Sequence, residues 1–296
     1  MTVGYAQITP VPLMPGFAAR IDGLDLRRPL SGAVKTELHR ALLEFELLLL
    51  PPQEISAEQH IDLGSAFGSI ASGAYFPRKE GHPEIEIITF DEQHPPELNI
   101  WHSDVTWQRP PPTGTVIQVV ELPNAGGNTA WVSASKAFAA LSDGFKTYLR
   151  GLSATHSWRA SIVEDALEAA GEEAMVNAVR RYKPVVHPVV RRHPESGREV
   201  LFVNEAFTRR INDVPFRESR AILEFLREWM IQPEFVYCHK WERYGVAVWD
   251  NRTTQHYALA DYRPQRRTVQ RVTFEAAADR LESEGIVAVN SSAPAT

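Results

Sequence analysis

Two residues that can share a metal ion, His102 and Asp104, stand in the stretch Asn99-Ile-Trp-His-Ser-Asp-Val-Thr-Trp107. On an extended strand, positions two apart point to one face. An imidazole and a carboxylate set this way grip a metal ion from one side. A second histidine, His256, lies far downstream in Trp249-Asp-Asn-Arg-Thr-Thr-Gln-His-Tyr257. Two histidines and one carboxylate on one face of a metal, with the opposite positions open, suit a non-haem Fe(II) oxygenase. The same three ligands around zinc suit a hydrolase whose nucleophile is bound water. Arg267 and Arg271 follow His256 in the alternating run Arg267-Thr-Val-Gln-Arg271. Positions 267, 269 and 271 of a strand share a face, and Val269 makes that face half apolar. Guanidinium groups turned inward there require anions. An arginine fork holds a carboxylate through two parallel hydrogen bonds.

The elements that position these groups must come from a chain of 296 residues with 44 % hydrophobic content. That is enough for a large core in a single catalytic domain spanning 1–296. The net charge of −6 argues against a nucleic-acid partner. One cysteine, Cys238, excludes an intramolecular disulfide and suits a reducing compartment. Cys238 lies in the strand-like run Phe235-Val-Tyr-Cys-His239 and is expected to be a buried, inert thiol. The N-terminal stretch 1–17 has no basic region followed by an apolar block. The apolar run at 47–51 is too short to span a bilayer. A cytoplasmic protein with no membrane partner is the expectation.

Helical spacing of Val34, Leu38, Leu42 and Phe45 predicts a helix over 31–46. Ser56-Ala-Glu-Gln59 predicts a capping box and a helix running through Phe67 to Gly68. Helices are also expected at 133–149, 162–182 and 217–230. Strands are expected at 16–26, 47–50, 84–90, 113–121, 185–192, 199–204, 234–240, 246–249 and 268–275. Many short strands with helices at the ends and edges predict a mostly β fold with flanking helices. The expected form is a double-stranded β-helix, the jelly-roll or cupin-like barrel. Segment 69–98 is read as a lid and 160–183 as a helical insertion over the core. No phosphate loop or dinucleotide glycine motif is present.

The remaining histidines have structural readings. His187 and His193, beside prolines, are expected to make structural hydrogen bonds. His39, His60, His82 and His94 fall on polar or helical surfaces. His239 alternates with Tyr237 and Trp241 and could line a wall. His156 stays ambiguous between the core and the site. Trp101 and Trp107 flank the His102/Asp104 pair and could wall it off from water.

Taken together, these residues resemble the TauD/TfdA family of Fe(II)- and 2-oxoglutarate-dependent dioxygenases. The segments that carry the resemblance are Trp101-His-Ser-Asp-Val-Thr106, Glu121-Leu-Pro-Asn-Ala-Gly-Gly-Asn-Thr129, His187-Pro-Val-Val-Arg-Arg-His-Pro-Glu-Ser-Gly197, Leu201-Phe-Val-Asn-Glu-Ala-Phe-Thr-Arg-Arg210 and Trp249 through Arg271. The pattern is closest to the taurine-oxidising members. The resemblance implies that His102, Asp104 and His256 ligate iron. It implies that Thr129 and Arg267 hold the distal carboxylate of 2-oxoglutarate and that Arg271 meets the anionic end of the prime substrate. Trp158 and Phe207 fall where aromatic rings surround that substrate. Gly73, Phe76 and Leu98 replace a histidine, a tyrosine and an asparagine of the taurine-oxidising pattern, so the pocket loses polar groups.

The implied reaction consumes 2-oxoglutarate and O2 at Fe(II), gives succinate and CO2, and hydroxylates a small anionic organic substrate. Sulfonates and alkyl sulfates, with release of sulfite or sulfate, are the first expectation. Aryloxyalkanoates are the alternative within the family. Outside it stand the zinc hydrolase and a non-catalytic anion-binding protein. The family also implies a homo-oligomer, a dimer or tetramer.

Overall fold

The computed structural model describes residues 4–71, 76–94, 99–159, 162–169 and 171–275. Gly73 and Leu98 lie outside them. The chain opens with β1 (Thr9–Met14), β2 (Phe17–Asp22), α1 (Gly32–Phe45), β3 (Leu47–Leu50) and α2 (Ala57–Gly64). Strands β4 (Ser69–Ala71), β5 (Arg78–Lys79), β6 (His82–Phe90), β7 (Gly114–Glu121) and β8 (Thr129–Ser133) follow. Next come α3 (Ala134–Ala139), α4 (Asp143–Arg150), β9 (Ser153–His156), α5 (Ile162–Ala169) and α6 (Glu172–Arg181). Strands β10 (Val185–Pro188), β11 (Val190–Arg192), β12 (Glu199–Leu201) and β13 (Thr208–Ile211) precede α7 (Phe216–Met230). The last strands are β14 (Val236–His239), β15 (Val246–Asp250), β16 (Thr254–Ala258) and β17 (Arg267–Glu275).

Nine strands form one sheet in the order β1-β2-β3-β15-β7-β17-β6-β5, with β4 added on β17. A three-stranded sheet, β14-β8-β16, lies against it. Period-two alternation divides the faces of the large sheet. Val116, Val248 and Val272 pack with Leu38, Leu42 and Leu63 of α1 and α2. On the other face, Ile117, Val119, Val269 and Trp249 meet Trp131 of the three-stranded sheet and Trp241. Both faces of the central strands are therefore covered, which is why the Leu47–Leu50 run can be apolar throughout. The fold is mostly β with flanking helices. Among the described residues no hydrogen-bonded ladder closes the two sheets into a barrel. No helix among them is long and apolar enough to cross a membrane.

Local signals explain most helix starts. Ser31 caps α1 by accepting the Val34 N–H. Ser56 and Gln59 form the expected capping box of α2. That helix ends at Gly64 rather than reaching Phe67, because Ala66 and Phe67 donate to carbonyls only three residues back. Gly68 is required for a different reason than helix termination. A Cβ there would meet the Glu275 carbonyl oxygen at 2.2 Å. The helix expected at 133–149 is two helices, α3 and α4, separated at residues 140–142. Within 160–183, α5 and α6 bring Val163, Leu167, Met175 and Val179 onto Trp107, Trp158 and Phe207.

Candidate active site

His102 pairs with His256 through a two-way backbone bridge. The His102 N–H donates to the His256 carbonyl at 3.1 Å, and the His256 N–H returns the bond at 2.8 Å. This bridge places the two imidazoles 4.2 Å apart between ring centroids. Asp104 Oδ1 lies 3.7 Å from His102 Nε2 and 3.9 Å from His256 Nε2. One ligand atom from each of the three residues falls within 4.8 Å of the others. The His102 Nδ1–H donates to the Ile100 carbonyl at 2.7 Å, which leaves Nε2 with its lone pair facing the cluster.

Charge is distributed to favour this donor set. Burial lowers the pKa of His102 and keeps it neutral. Burial, followed by the nearness of the His102 imidazole, which disfavours a second proton on the pair, pushes His256 down to about 3. Burial opposes ionisation of Asp104. His256, Arg271 and His102 outweigh it and hold the carboxyl below the usual carboxylate range. Neutral imidazoles beside an ionised carboxylate are the protonation states that bind a divalent cation.

The Asp104 backbone is clamped by a residue the sequence reading did not single out. The Asp104 N–H donates to Asn251 Oδ1 at 2.6 Å. Asn251 Nδ2 donates back to the Asp104 carbonyl at 2.9 Å and to the Pro112 carbonyl at 3.0 Å. Val105, the next residue, holds φ at 54°, a strained value for a β-branched side chain. Thr115 Oγ1 donates to Asp104 Oδ2 at 3.4 Å. Asn251 is itself fixed by the turn after β15. There Asp250 accepts two hydrogen bonds from the Arg252 guanidinium, at 2.9 and 2.7 Å, and one from His193 Nε2 at 3.0 Å.

Arg267 and Thr129 also meet. Arg267, 5 % exposed, donates through Nε to the Gly127 carbonyl at 3.0 Å and through Nη2 to Thr129 Oγ1 at 3.3 Å. Trp241 Nε1 donates to the same hydroxyl at 3.0 Å. Among the described residues Arg267 forms no ion pair. Burial lowers its pKa, as expected for a cation without a carboxylate against it. Thr129 and His256 share one face of the three-stranded sheet, because Ala258 pairs with Thr129 and His256 with Trp131.

Arg271 has a partner that was not foreseen. Its Nε and Nη2 donate to Glu86 Oε2 at 2.9 and 2.6 Å. Its Nη1 lies 3.9 Å from Asp104 Oδ1, and its guanidinium carbon sits 5.1 Å from the Phe76 ring centroid. The Arg271 side chain therefore reaches the triad while ion-paired.

Aromatic rings cover the cluster. Phe207 meets His102 edge-on at 6.4 Å, and Trp249 lies 4.9 Å from the His256 ring. Trp158 packs with Phe207 and Trp107 and donates Nε1–H to the Tyr182 carbonyl at 3.0 Å. His156 belongs to the core: its Nδ1 bonds Thr106 Oγ1 at 3.0 Å, and its ring stands 5.0 Å from that of His187. His187 in turn bonds the Thr106 carbonyl at 2.9 Å. Two expectations are corrected. His60 is buried, not on a surface, because its face of α2 packs on the sheet with Nε2 3.3 Å from the Val116 carbonyl. Cys238 is exposed, not buried, because β14 is an edge strand of the three-stranded sheet.

Comparison with known proteins gives this geometry a family. The profile of the taurine catabolism dioxygenase TauD, TfdA family matches residues 9–273. The chain belongs to this family. An alpha-ketoglutarate-dependent sulfonate dioxygenase of Saccharomyces cerevisiae is 30 % identical over 281 residues, covering 89 % of this chain and 66 % of its own length. An alkylsulfatase of Acinetobacter baylyi is 29 % identical over 269 residues, covering 87 % of this chain and 82 % of its own length. The crystal structure of a taurine dioxygenase from Burkholderia xenovorans superposes with a TM-score of 0.78 at 31 % identity, covering 92 % of each chain. As a TauD/TfdA-family member, this chain is a 2-oxoglutarate-dependent non-haem iron dioxygenase that uses Fe(II), 2-oxoglutarate and O2. The residues present fit those groups. Three converging N and O donors suit the metal, and a buried guanidinium with a neighbouring hydroxyl suits a carboxylate.

Proposed function

We propose that this chain hydroxylates a small anionic organic acid, such as a sulfonate or an alkyl sulfate, and that the residues described above divide the work. His102, Asp104 and His256 hold the iron. Arg267 and Thr129 take the distal carboxylate of 2-oxoglutarate, and Arg271 faces the anionic end of the prime substrate. The single observation that carries this reading is the convergence of the three donors beside Arg271, with Arg267 buried and not ion-paired among the described residues. The two packed sheets are read as the halves of a double-stranded β-helix whose interior holds the site.

Bound Fe(II) and 2-oxoglutarate supply the activation of O2, with succinate and CO2 formed as a substrate C–H becomes C–OH. The protein's own residues position and exclude. The Ile100 carbonyl fixes the His102 tautomer, and Asn251 fixes the Asp104 backbone. Phe207, Trp158 and Trp249 keep bulk water from the cluster. Where the hydroxylated carbon bears sulfonate or sulfate, the product collapses to a carbonyl compound and sulfite or sulfate.

The test begins with anaerobic Fe(II) and 2-oxoglutarate, which together should give a visible charge-transfer band. A succinate-release screen over sulfonates, alkyl sulfates and aryloxyalkanoates then follows. Turnover with zinc in the absence of O2 would move the assignment to a hydrolase. A hydrolase has no use for the Arg267/Thr129 pair.

A further inference from the structure

Trp131 stands in the middle of a row that crosses the three-stranded sheet. His256 of β16 pairs with it on one side and Tyr237 of β14 on the other. Directly opposed residues of a ladder share a face, so the row runs from the metal-binding cluster to an edge strand. Trp249 of the large sheet packs onto this row. Its ring centroid lies 4.9 Å from that of His256 and 5.7 Å from that of Trp131. Trp131 lies 6.0 Å from Trp241, Trp241 4.8 Å from His239, and His239 6.2 Å from Tyr237. These are the separations of aromatic rings in contact. Two ways therefore lead from Trp131 to Tyr237, directly across the ladder and around through Trp241 and His239.

Exposure rises along the path. Trp249, Trp131 and Trp241 are buried, whereas Tyr237 is half-buried on a strand whose Cys238 is exposed. A buried indole usually gives its N–H an acceptor. Nε1 of Trp249 and Nε1 of Trp131 meet none among the described residues. A phenylalanine would fill such a space without leaving a donor unmet. What indole adds to volume is the ready loss of one electron. With no acceptor for Nε1–H, the oxidised ring keeps its proton and passes the charge on instead of trapping it. On the other flank Phe207 is the ring against His102, and a benzene ring gives up an electron far less readily.

We propose that Trp249, Trp131 and Tyr237 form an electron-transfer path that drains oxidising equivalents from the metal site to the surface when no prime substrate is bound. The oxidant is the O2-derived equivalent that 2-oxoglutarate turnover leaves at the site when no substrate C–H consumes it. Trp249 gives one electron to the site, Trp131 re-reduces Trp249, and Tyr237 re-reduces Trp131. The Tyr237 phenol releases its proton to solvent and becomes a neutral radical. A soluble thiol or ascorbate restores it by returning one electron and one proton. The path thereby spares the rings around the metal from oxidation. The proposal rests on the reading that His256 holds the metal.

The test mixes O2 with enzyme loaded with Fe(II) and 2-oxoglutarate, without prime substrate and with a nitroso spin trap present. Peptide mass spectrometry then maps the trap adducts. Wild type should carry the adduct at Tyr237, and Tyr237→Phe should lose it. Trp131→Phe keeps an aromatic ring in the core but breaks the path. It should lose the Tyr237 adduct, gain inserted oxygen at Trp249, and form less succinate before inactivation. Trp249→Phe should lose the Tyr237 adduct too, and melting curves check that both variants are folded. A Tyr237 adduct as abundant in these variants as in wild type overturns the proposal. So does labelling of Tyr148, exposed on α4, to the same extent as Tyr237, because a diffusible oxidant would then be responsible. Absence of any adduct from wild type that binds Fe(II) and forms succinate overturns the path alone. If His256→Ala binds Fe(II) as tightly as wild type, the ligand reading itself falls and the path loses its starting point.

Discussion

Asn251 and Asp104, 147 positions apart in sequence, are joined by a reciprocal pair of hydrogen bonds: the Asp104 N–H to the Asn251 side-chain oxygen, and the Asn251 amide to the Asp104 carbonyl. The carboxylate of the triad is thus carried by a backbone that a turn from the far end of the chain holds in place. Asn251→Ala should lower Fe(II) affinity by about ten- to a hundredfold, the usual effect of removing a group that orients a metal ligand. Metal titration of the folded variant measures this. Unchanged affinity would show that Val105 keeps its strained conformation without the clamp.

Arg267→Ala should weaken 2-oxoglutarate binding while leaving metal binding intact. A hydrogen-bonded charge contact is worth about 1.5–3 kcal/mol, so the expected loss is roughly ten- to a hundredfold. Arg267→Lys should recover only part of it, because an ammonium lacks the planar fork. Equilibrium titration under anaerobic conditions gives the numbers, and equal loss of metal in both variants would count against the assignment.

Phe207 stands edge-on to His102 in a buried aromatic cluster. Phe207→Ala should lower stability by about 3–5 kcal/mol through the cavity it leaves. It should also admit water to the reacting centre. The measurable result is a higher ratio of succinate formed to hydroxylated product. A ratio identical to wild type would remove Phe207 from the water-excluding wall.

Glu195 links the turn that carries Asn251 to helix α1. It accepts from Arg252 at 3.0 Å and lies 2.8 Å from His39 Nε2. Burial alone would raise its pKa. The His39 hydrogen bond and the Arg252 charge outweigh burial and bring it from 4.5 to about 2. A carboxyl depressed on folding stabilises the folded state above its unfolded pKa, and that contribution is lost as pH falls through the folded value. Glu195→Gln should therefore melt below wild type at pH 6, and the gap should close between about pH 4.5 and pH 2. A gap that stays constant across this window would show that the contact, not the charge, matters.

Local chemistry was legible where spacing alone fixes direction. His102 and Asp104 share a face because they are two apart, and Arg267, Val269 and Arg271 alternate inward for the same reason. The Ser56/Gln59 capping box was readable because both partners sit within one turn of helix. Reading failed where a partner comes from elsewhere. The 8-residue helix α2 is too short for its periodicity to show that His60 faces the sheet. Cys238 sits in a strand pattern like any other, and only the sheet order reveals that β14 is an edge. Glu86 looked like one acidic residue among isoleucines.

By itself the sequence determined which donor atoms are available, two imidazoles, a carboxylate and two guanidinium groups, and which of them share a strand face. Only the tertiary structure decided that His256 bridges His102, that Asn251 grips Asp104, and that Glu86 rather than solvent meets Arg271. The physical reason is that side-chain direction along a strand follows from local backbone geometry. Register between strands is set by hydrogen bonds and packing between segments up to 206 residues apart, as in the Glu275–Ser69 pairing of β17 with β4.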